Sequence, residues 1–151
     1  MTVGGSFYSA IRELALPVIP AGNYKGKVIG VDASMLIHRY MCRDPNAVMV
    51  LKQYWHMRKW FQRFVLDNHS HGITVHMIFD GTACPNKAGE GSSRADVREA
   101  AMAKWLKDND YKALQKSCHV SWDLKRACIG ALHEIEAVYT VAPYEADSQL
   151  A

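Results

Sequence analysis

Three short apolar runs, each ending near an acid and each separated from the next by helical sequence, constrain this chain more than anything else in it. Residues 27–31 (KVIGV) run into Asp32, residues 73–79 (ITVHMIF) run into Asp80-Gly81, and residues 138–141 (VYTV) are followed by Pro143, Glu145 and Asp147. Apolar runs this short and this rich in β-branched residues read as buried strands. Between them, residues 33–41, 48–67, 94–116 and 123–137 have helical spacing or propensity. Strands alternating with helices predict an α/β fold with a parallel sheet, because parallel neighbours need a crossover connection. In such sheets the functional edge lies at the carboxyl ends of the strands.

The punctuation is equally plain. Residues 6–16 read as an amphipathic helix stopped by Pro17 and Pro20, and Pro45-Asn46 breaks the helix over 33–41. The next helix carries apolar residues at Leu51, Tyr54, Trp55, Phe61, Phe64 and Val65, and His71-Gly72 ends it. Tyr54, Trp55 and Trp60 form an aromatic stripe that reads as core rather than as a base-stacking platform. Residues 82–93 have loop composition, with Pro85, Gly89, Gly91 and two serines. Pro143 is well placed to open a last helix, which has no stop signal before Ala151 and so reads as cut short.

The 151 residues suit one domain with a core, at 49% hydrophobic and 22% charged. There is no apolar run of membrane-spanning length and no signal-peptide pattern. The four cysteines form no CxxC pair, which argues against a disulfide or zinc framework. His69 and His71 make an HxH pair, but at a helix end they carry no zinc reading. A net charge of +3 permits nucleic-acid binding without demanding it. Between Lys87 and Arg126 there are nine Lys/Arg against six Asp/Glu.

The acids carry the chemistry. If the three strands are neighbours, Asp32, Asp80, Glu145 and Asp147 gather along one edge. Two carboxylates ~4 Å apart repel by about 4 kcal/mol at an effective dielectric near 20, so such a cluster needs a cation or shifted protonation. Oxygen-only ligands favour Mg²⁺ or Mn²⁺. Each acid alone has an ordinary reading beside this one: Asp32 as a helix N-cap, Asp80-Gly81 as a turn, Glu145 and Asp147 as charges favouring a helix N-terminus. Residue spacing leaves these alternatives open.

Three blocks of wording go further: NYKGKVIGVDASMLIHR, HGITVHMIFDG and VAPYEADSQLA. In this order they resemble the N-terminal motifs of the flap endonuclease and exonuclease-one group of structure-specific 5′ nucleases, the xeroderma pigmentosum group G nuclease superfamily. The YKGKV entry, His38 and the APYEAD wording resemble the exonuclease-one branch most. The resemblance implies a central, mostly parallel sheet flanked by helices, a PIN-like 5′ nuclease fold, with residues 1–151 as its N-terminal part, incomplete at the C-terminus. Residues of about 82–120 would form the helical arch. It further implies that Asp32, Asp80, Glu145 and Asp147 are metal ligands for two Mg²⁺ (or Mn²⁺) ions in the complete enzyme. Lys87 and Arg94 match the basic pair that contacts the scissile phosphate, and His38 the ring that stacks on a base beside the cut. Arg98 and Lys104 belong to the basic residues of the arch, expected on DNA phosphates.

The function so implied is hydrolysis of DNA phosphodiesters at 5′ ends, flaps or nicks, in repair or replication, in the nucleus. Thr2 stands where the group usually has Gly, and the arch segment is several residues shorter than usual. A second acidic cluster is expected beyond Ala151, so this stretch alone is expected to be nearly inactive. The competing reading from another class is a catalytically silent nucleic-acid-binding module. A metal-dependent phosphatase is disfavoured, since no DxD nucleophile motif follows any of the three strands and there is no phosphate-cradling glycine loop.

Overall fold

The computed structural model describes residues 21–82 and 88–150. The helix expected over residues 6–16 lies outside them, as does Lys87. In chain order the elements are a 3₁₀ turn (Ala21–Tyr24), β1 (Val28–Asp32), α1 (Ala33–Met41), a wide π-type turn (Asn46–Val50), α2 (Trp55–Ser70), β2 (Thr74–Phe79), α3 (Ala88–Asp108), α4 (Tyr111–Ser117), α5 (Trp122–His133), β3 (Tyr139–Val141) and α6 (Asp147–Leu150). The strands form one parallel sheet in the order β1-β2-β3, with Asp32 opposite Ile78 and Phe79 opposite Val141. The expected parallel α/β architecture is therefore present, with each strand within a residue of its expected span.

The alternation of a strand explains the two faces. Val31, Val75, Met77, Phe79 and Tyr139 point to one side and pack with Ile37, Met41, Met57, Phe61, Leu124, Cys128 and Leu132 from the helices. Phe79 meets Phe61 at 6.4 Å and the edge of Tyr139 at 6.3 Å between ring centroids. Each fully buried apolar side chain here contributes about 1.5–3 kcal/mol from water removal. The opposite face carries Gly30, His76, Ile78 and Thr140 beside Leu150, around a cavity of about 290 Å³. Gln62, buried on α2, donates to the Ala131 carbonyl (2.9 Å) and to Glu134 (2.8 Å), and Arg58 pairs with Glu134. These bonds dock α2 on α5.

Four expectations are corrected. The helix foreseen from residue 48 begins only at Trp55. Before it the chain takes a wide turn, with Leu51 N–H bonding the Asn46 carbonyl and Lys52 at φ +53°. That turn delivers Val48 and Met49 to the core. The loop foreseen over 82–93 already becomes helix at Ala88. The helix foreseen over 94–116 is two, broken at Asn109 (φ +51°), after which Asp110 caps α4 by accepting from Lys112 N–H (2.9 Å) and Ala113 N–H (3.3 Å). Pro143 opens no helix; α6 starts at Asp147.

Asp110 also pairs with Lys104 Nζ at 2.9 Å, joining the end of α3 to the start of α4. The hydrogen bond from Lys104, with those from Ala113 and Lys112, holds the Asp110 carboxyl below its usual range. Lys104 is exposed to solvent and Asp110 half-buried, so the cap matters more than the charge. Asp110→Ala is expected to lower the stability through the lost cap, read as a lower urea midpoint at unchanged slope.

Candidate active site

Asp32 ends β1 in extended backbone and turns its carboxylate onto the first turn of α1, where Oδ1 accepts the Met35 N–H at 3.1 Å. The N-cap reading of this residue is thus realised, whatever else it does. Asp80 follows β2. Its Oδ1 accepts the Ala146 N–H at 2.8 Å and its carbonyl accepts Lys125 Nζ at 2.9 Å. Asp80 therefore faces the segment that bears Glu145 and Asp147. Around it the two strand ends are laced by backbone: Ala142 N–H to the Phe79 carbonyl (2.8 Å), Gly81 N–H to Tyr144 (2.6 Å) and Thr82 N–H to Pro143 (3.1 Å). Beneath them Ile78, Ala142 and the fully buried Ala146 form a small apolar cluster.

The sheet register explains how near the acids come. Asp32 pairs with Ile78, so Asp80 lies two residues further along the chain, the first residue past β2. At a rise of ~3.3 Å per residue and a strand spacing of ~4.8 Å, their backbones stand roughly 8 Å apart. Both belong to the face that carries Ile78 and Thr140. Glu145 is half-buried and Asp147, first residue of α6, is exposed. Among the described residues, no three His, Cys, Asp or Glu side chains stand close enough to share one ion. The edge expected from the sequence exists, with Asp80 hydrogen-bonded into the 145–147 segment, but the four carboxylates do not converge on one point. The oxygen-only donor set suits a hard cation; its arrangement as described does not.

The basic residues are spread more widely. Arg94 is exposed on α3, and Arg98, half-buried, lines a cavity of about 320 Å³ with Glu99, Met102 and His119. Lys104 is engaged with Asp110. His38 is exposed on α1, with Nδ1 3.8 Å from the Cys42 sulfur. Lys125, which the sequence reading passed over, brings an ammonium to the backbone of Asp80. A signal existed: it sits in the first turn of the helix feeding β3, and such helix starts lie near strand carboxyl ends. Of the aromatic stripe, Trp60 packs against Phe64 (6.1 Å) and Tyr40 (5.2 Å), and Tyr54 is half-buried. Trp55 is 61% exposed under Lys59, so it is not core.

These features define a parallel α/β domain with an acid-lined edge at its strand ends. The family model described as the XPG N-terminal domain matches residues 3–101, and the chain belongs to that family. It is 28% identical over 155 residues to Exonuclease 1 of Arabidopsis thaliana, covering 93% of this chain and 20% of the relative. It is 29% identical over 136 residues to Exodeoxyribonuclease 1 of Saccharomyces cerevisiae (84% and 19%) and 29% identical over 106 residues to a putative RAD2-like endonuclease of Frog virus 3 (63% and 26%). The chain thus spans about a fifth of the length of the exonuclease relatives. Among solved structures, the catalytic core of Rad2 in complex with DNA substrate shares the fold, with a TM-score of 0.59 at 19% identity over 95% of this chain and 39% of that one.

Proposed function

We propose that this chain is part of a structure-specific 5′ nuclease that hydrolyses DNA phosphodiesters at 5′ ends, flaps or nicks, in DNA repair or replication in the nucleus. Family membership supports the reading, together with relatives named as exonucleases. The observation that carries it at the level of residues is Asp80, held against the segment of Glu145 and Asp147 through Ala146.

In the proposed reaction water attacks phosphorus in line, the bond to the 3′ oxygen breaks, and the product keeps a 5′-phosphate. Lys87 and Arg94 would balance the charge that grows on the phosphate oxygens. Arg98 and Lys104 would meet the DNA backbone and His38 a base. Lys104 would have to leave Asp110 to do so. Asp32, Asp80, Glu145 and Asp147 are the proposed holders of Mg²⁺ or Mn²⁺, which would supply Lewis acidity at the phosphate. Because no three of them face one point among the described residues, no step is assigned to an ion. The same observation gives the expectation that residues 1–151 alone turn over little substrate. It also favours a second reading, a nucleic-acid-binding module without catalysis.

One experiment separates the two. The full-length protein is mixed with labelled duplexes carrying a recessed 5′ end, a nick or a 5′ flap, in Mg²⁺ and in excess chelator. The nuclease reading expects short 5′-phosphorylated products in Mg²⁺ and none in chelator. Binding that weakens steeply with salt, with no cleavage in any divalent metal, would establish the silent module instead.

A further inference from the structure

Two of the cysteines end up on adjoining helix ends although they are far apart in sequence. Cys42 caps the C-terminus of α1, its N–H bonded to the His38 carbonyl and the next N–H, that of Arg43, to the Tyr40 carbonyl (each 3.0 Å). Cys118 caps the C-terminus of α4. The two helix ends are held together by α4 side chains: Gln115 Nε2 donates to the Cys42 carbonyl at 2.7 Å, and the Tyr111 hydroxyl donates to the Arg43 carbonyl at 3.2 Å. Cys118 lies buried in the main core, with Cys42 packed against that core. The Cys118 sulfur faces the Leu114 carbonyl at 3.6 Å, and the Cys42 thiol is near enough to act on it. Both are free, and Cys42 is the half-buried one.

Their environments differ in a way that sets an order of reaction. The Cys42 sulfur is 3.8 Å from Nδ1 of the exposed His38 and is itself only half-buried. Burial, with the Cys42 thiol as a second cause, pushes the Cys118 thiol up to about 12. Cys128, fully buried, is likewise pushed up to about 12 by burial. Thiolates, not thiols, attack peroxides, and Cys118 is both buried and raised whereas Cys42 is reached from solvent, so Cys42 reacts first and Cys118 second.

We propose that Cys42 and Cys118 are a redox pair, which a peroxide converts to an intramolecular disulfide stapling the end of α1 to the end of α4. The Cys42 thiolate attacks one peroxide oxygen, the O–O bond breaks, and the departing oxygen leaves as water after taking a proton. The resulting sulfenic acid is attacked by the Cys118 sulfur, its S–OH bond breaks, and a second water leaves. In sum two thiols and one hydrogen peroxide give one disulfide and two waters; the sulfurs are oxidised and the peroxide reduced. The buried Cys118 thiol makes the second step the slow one. The ordinary alternative is that both thiols are small apolar packing groups that stay reduced.

The reduced full-length protein is exposed to hydrogen peroxide, alkylated with iodoacetamide and digested with trypsin without reductant. Cleavage after Arg39, Arg43, Lys116 and Lys125 separates the peptides of residues 40–43 and 117–125 from those holding Cys84 and Cys128. The expected major product is a linked pair of residues 40–43 with 117–125, lighter by two hydrogens than the two reduced peptides. It arises from monomeric protein and is released by dithiothreitol. In Cys118→Ser the expected product is a sulfenic acid on Cys42, trapped by dimedone, with Cys128 untouched. The proposal is overturned if both thiols stay alkylatable while Cys84 oxidises, if Cys42 pairs with Cys84 or Cys128, or if the links join separate chains. The wild-type map decides the matter even if the serine variant fails to fold.

Discussion

Asp80→Asn is expected to reduce cleavage by the full-length protein at least about 100-fold while leaving its stability nearly unchanged. The two halves of that statement come from different properties of one side chain. As a hydrogen-bond acceptor, Oδ1 satisfies the N–H of Ala146, a residue with no solvent exposure. An asparagine amide oxygen can replace it there, so the strand-end lacing persists. As a charge, the carboxylate cannot be replaced by an amide. Even partners one step removed from a reacting centre are worth 10–100-fold when removed, and a group acting on the centre directly is worth more. Asp80→Ala removes both properties. It should lose the same activity and also cost about 1–3 kcal/mol, because the Ala146 N–H is left buried without an acceptor. Single-turnover cleavage rates and urea unfolding of the three proteins check the pair of expectations. Full activity in Asp80→Asn would remove Asp80 from the chemistry and leave it only a structural anchor. An equal stability loss in both variants would instead show that the Asn amide oxygen fails to replace Oδ1 at Ala146.

The strands and their acids were legible because burial on the core face demands a continuous apolar run, and the run ends where the chain leaves the sheet. Val75, Met77 and Phe79 display that rule, with Asp80 the first residue past it. The N-cap role of Asp32 was legible for a similar local reason: an acid between strand and helix finds free N–H groups at once. What was not legible depends on contacts distant in sequence. The apolar spacing after residue 48 fits a helix, but Val48 and Met49 serve the core from a wide turn that needs Lys52 at positive φ, a conformation lysine does not advertise. Gly89 and Gly91 suggested a loop, yet they fall in the first turn of α3, away from the helix middle where the entropic cost of glycine is felt. Pro143 fits a helix start, but its carbonyl is claimed by the Thr82 amide and hydroxyl, from a strand end more than fifty residues earlier. The candidate site shows the same division. Which acids lie at the edge follows from strand ends; how far apart they stand follows from the register of Asp32 with Ile78, which no short motif encodes.

That lacing of two strand ends makes Gly81 the position where the smallest substitution should do the most harm. A Cβ on Gly81 would stand 1.9 Å from the Ala142 carbonyl oxygen and 2.8 Å from that of Pro143. Both obstacles are backbone, so neither can rotate away, and the two segments must part. Parting them stretches the Gly81 bond to Tyr144 and the Thr82 bond to Pro143. At about 0.5–1.5 kcal/mol net for each bond, with a similar cost for the crowded backbone, Gly81→Ala should lose roughly 3 kcal/mol. That is a large share of the ~5–15 kcal/mol typical of a folded domain. Gly30→Ala is the natural control, since the nearest atom to its new Cβ, at 2.7 Å, is the end of the Leu150 side chain, which can swing aside. Its expected cost is under about 1 kcal/mol, the range of a relievable side-chain adjustment. Urea midpoints compare the two, and hydrogen exchange at the amides of Gly81, Thr82, Ala142 and Ala146 shows where the damage falls. In the glycine variant of the full-length protein, cleavage should fall together with that protection, because Asp80 precedes the displaced residue and keeps its place through Ala146. Equal costs for the two alanines, or unchanged exchange at Thr82 and Ala146, would mean that the strand ends are not laced as described and that Asp80 is held by something else.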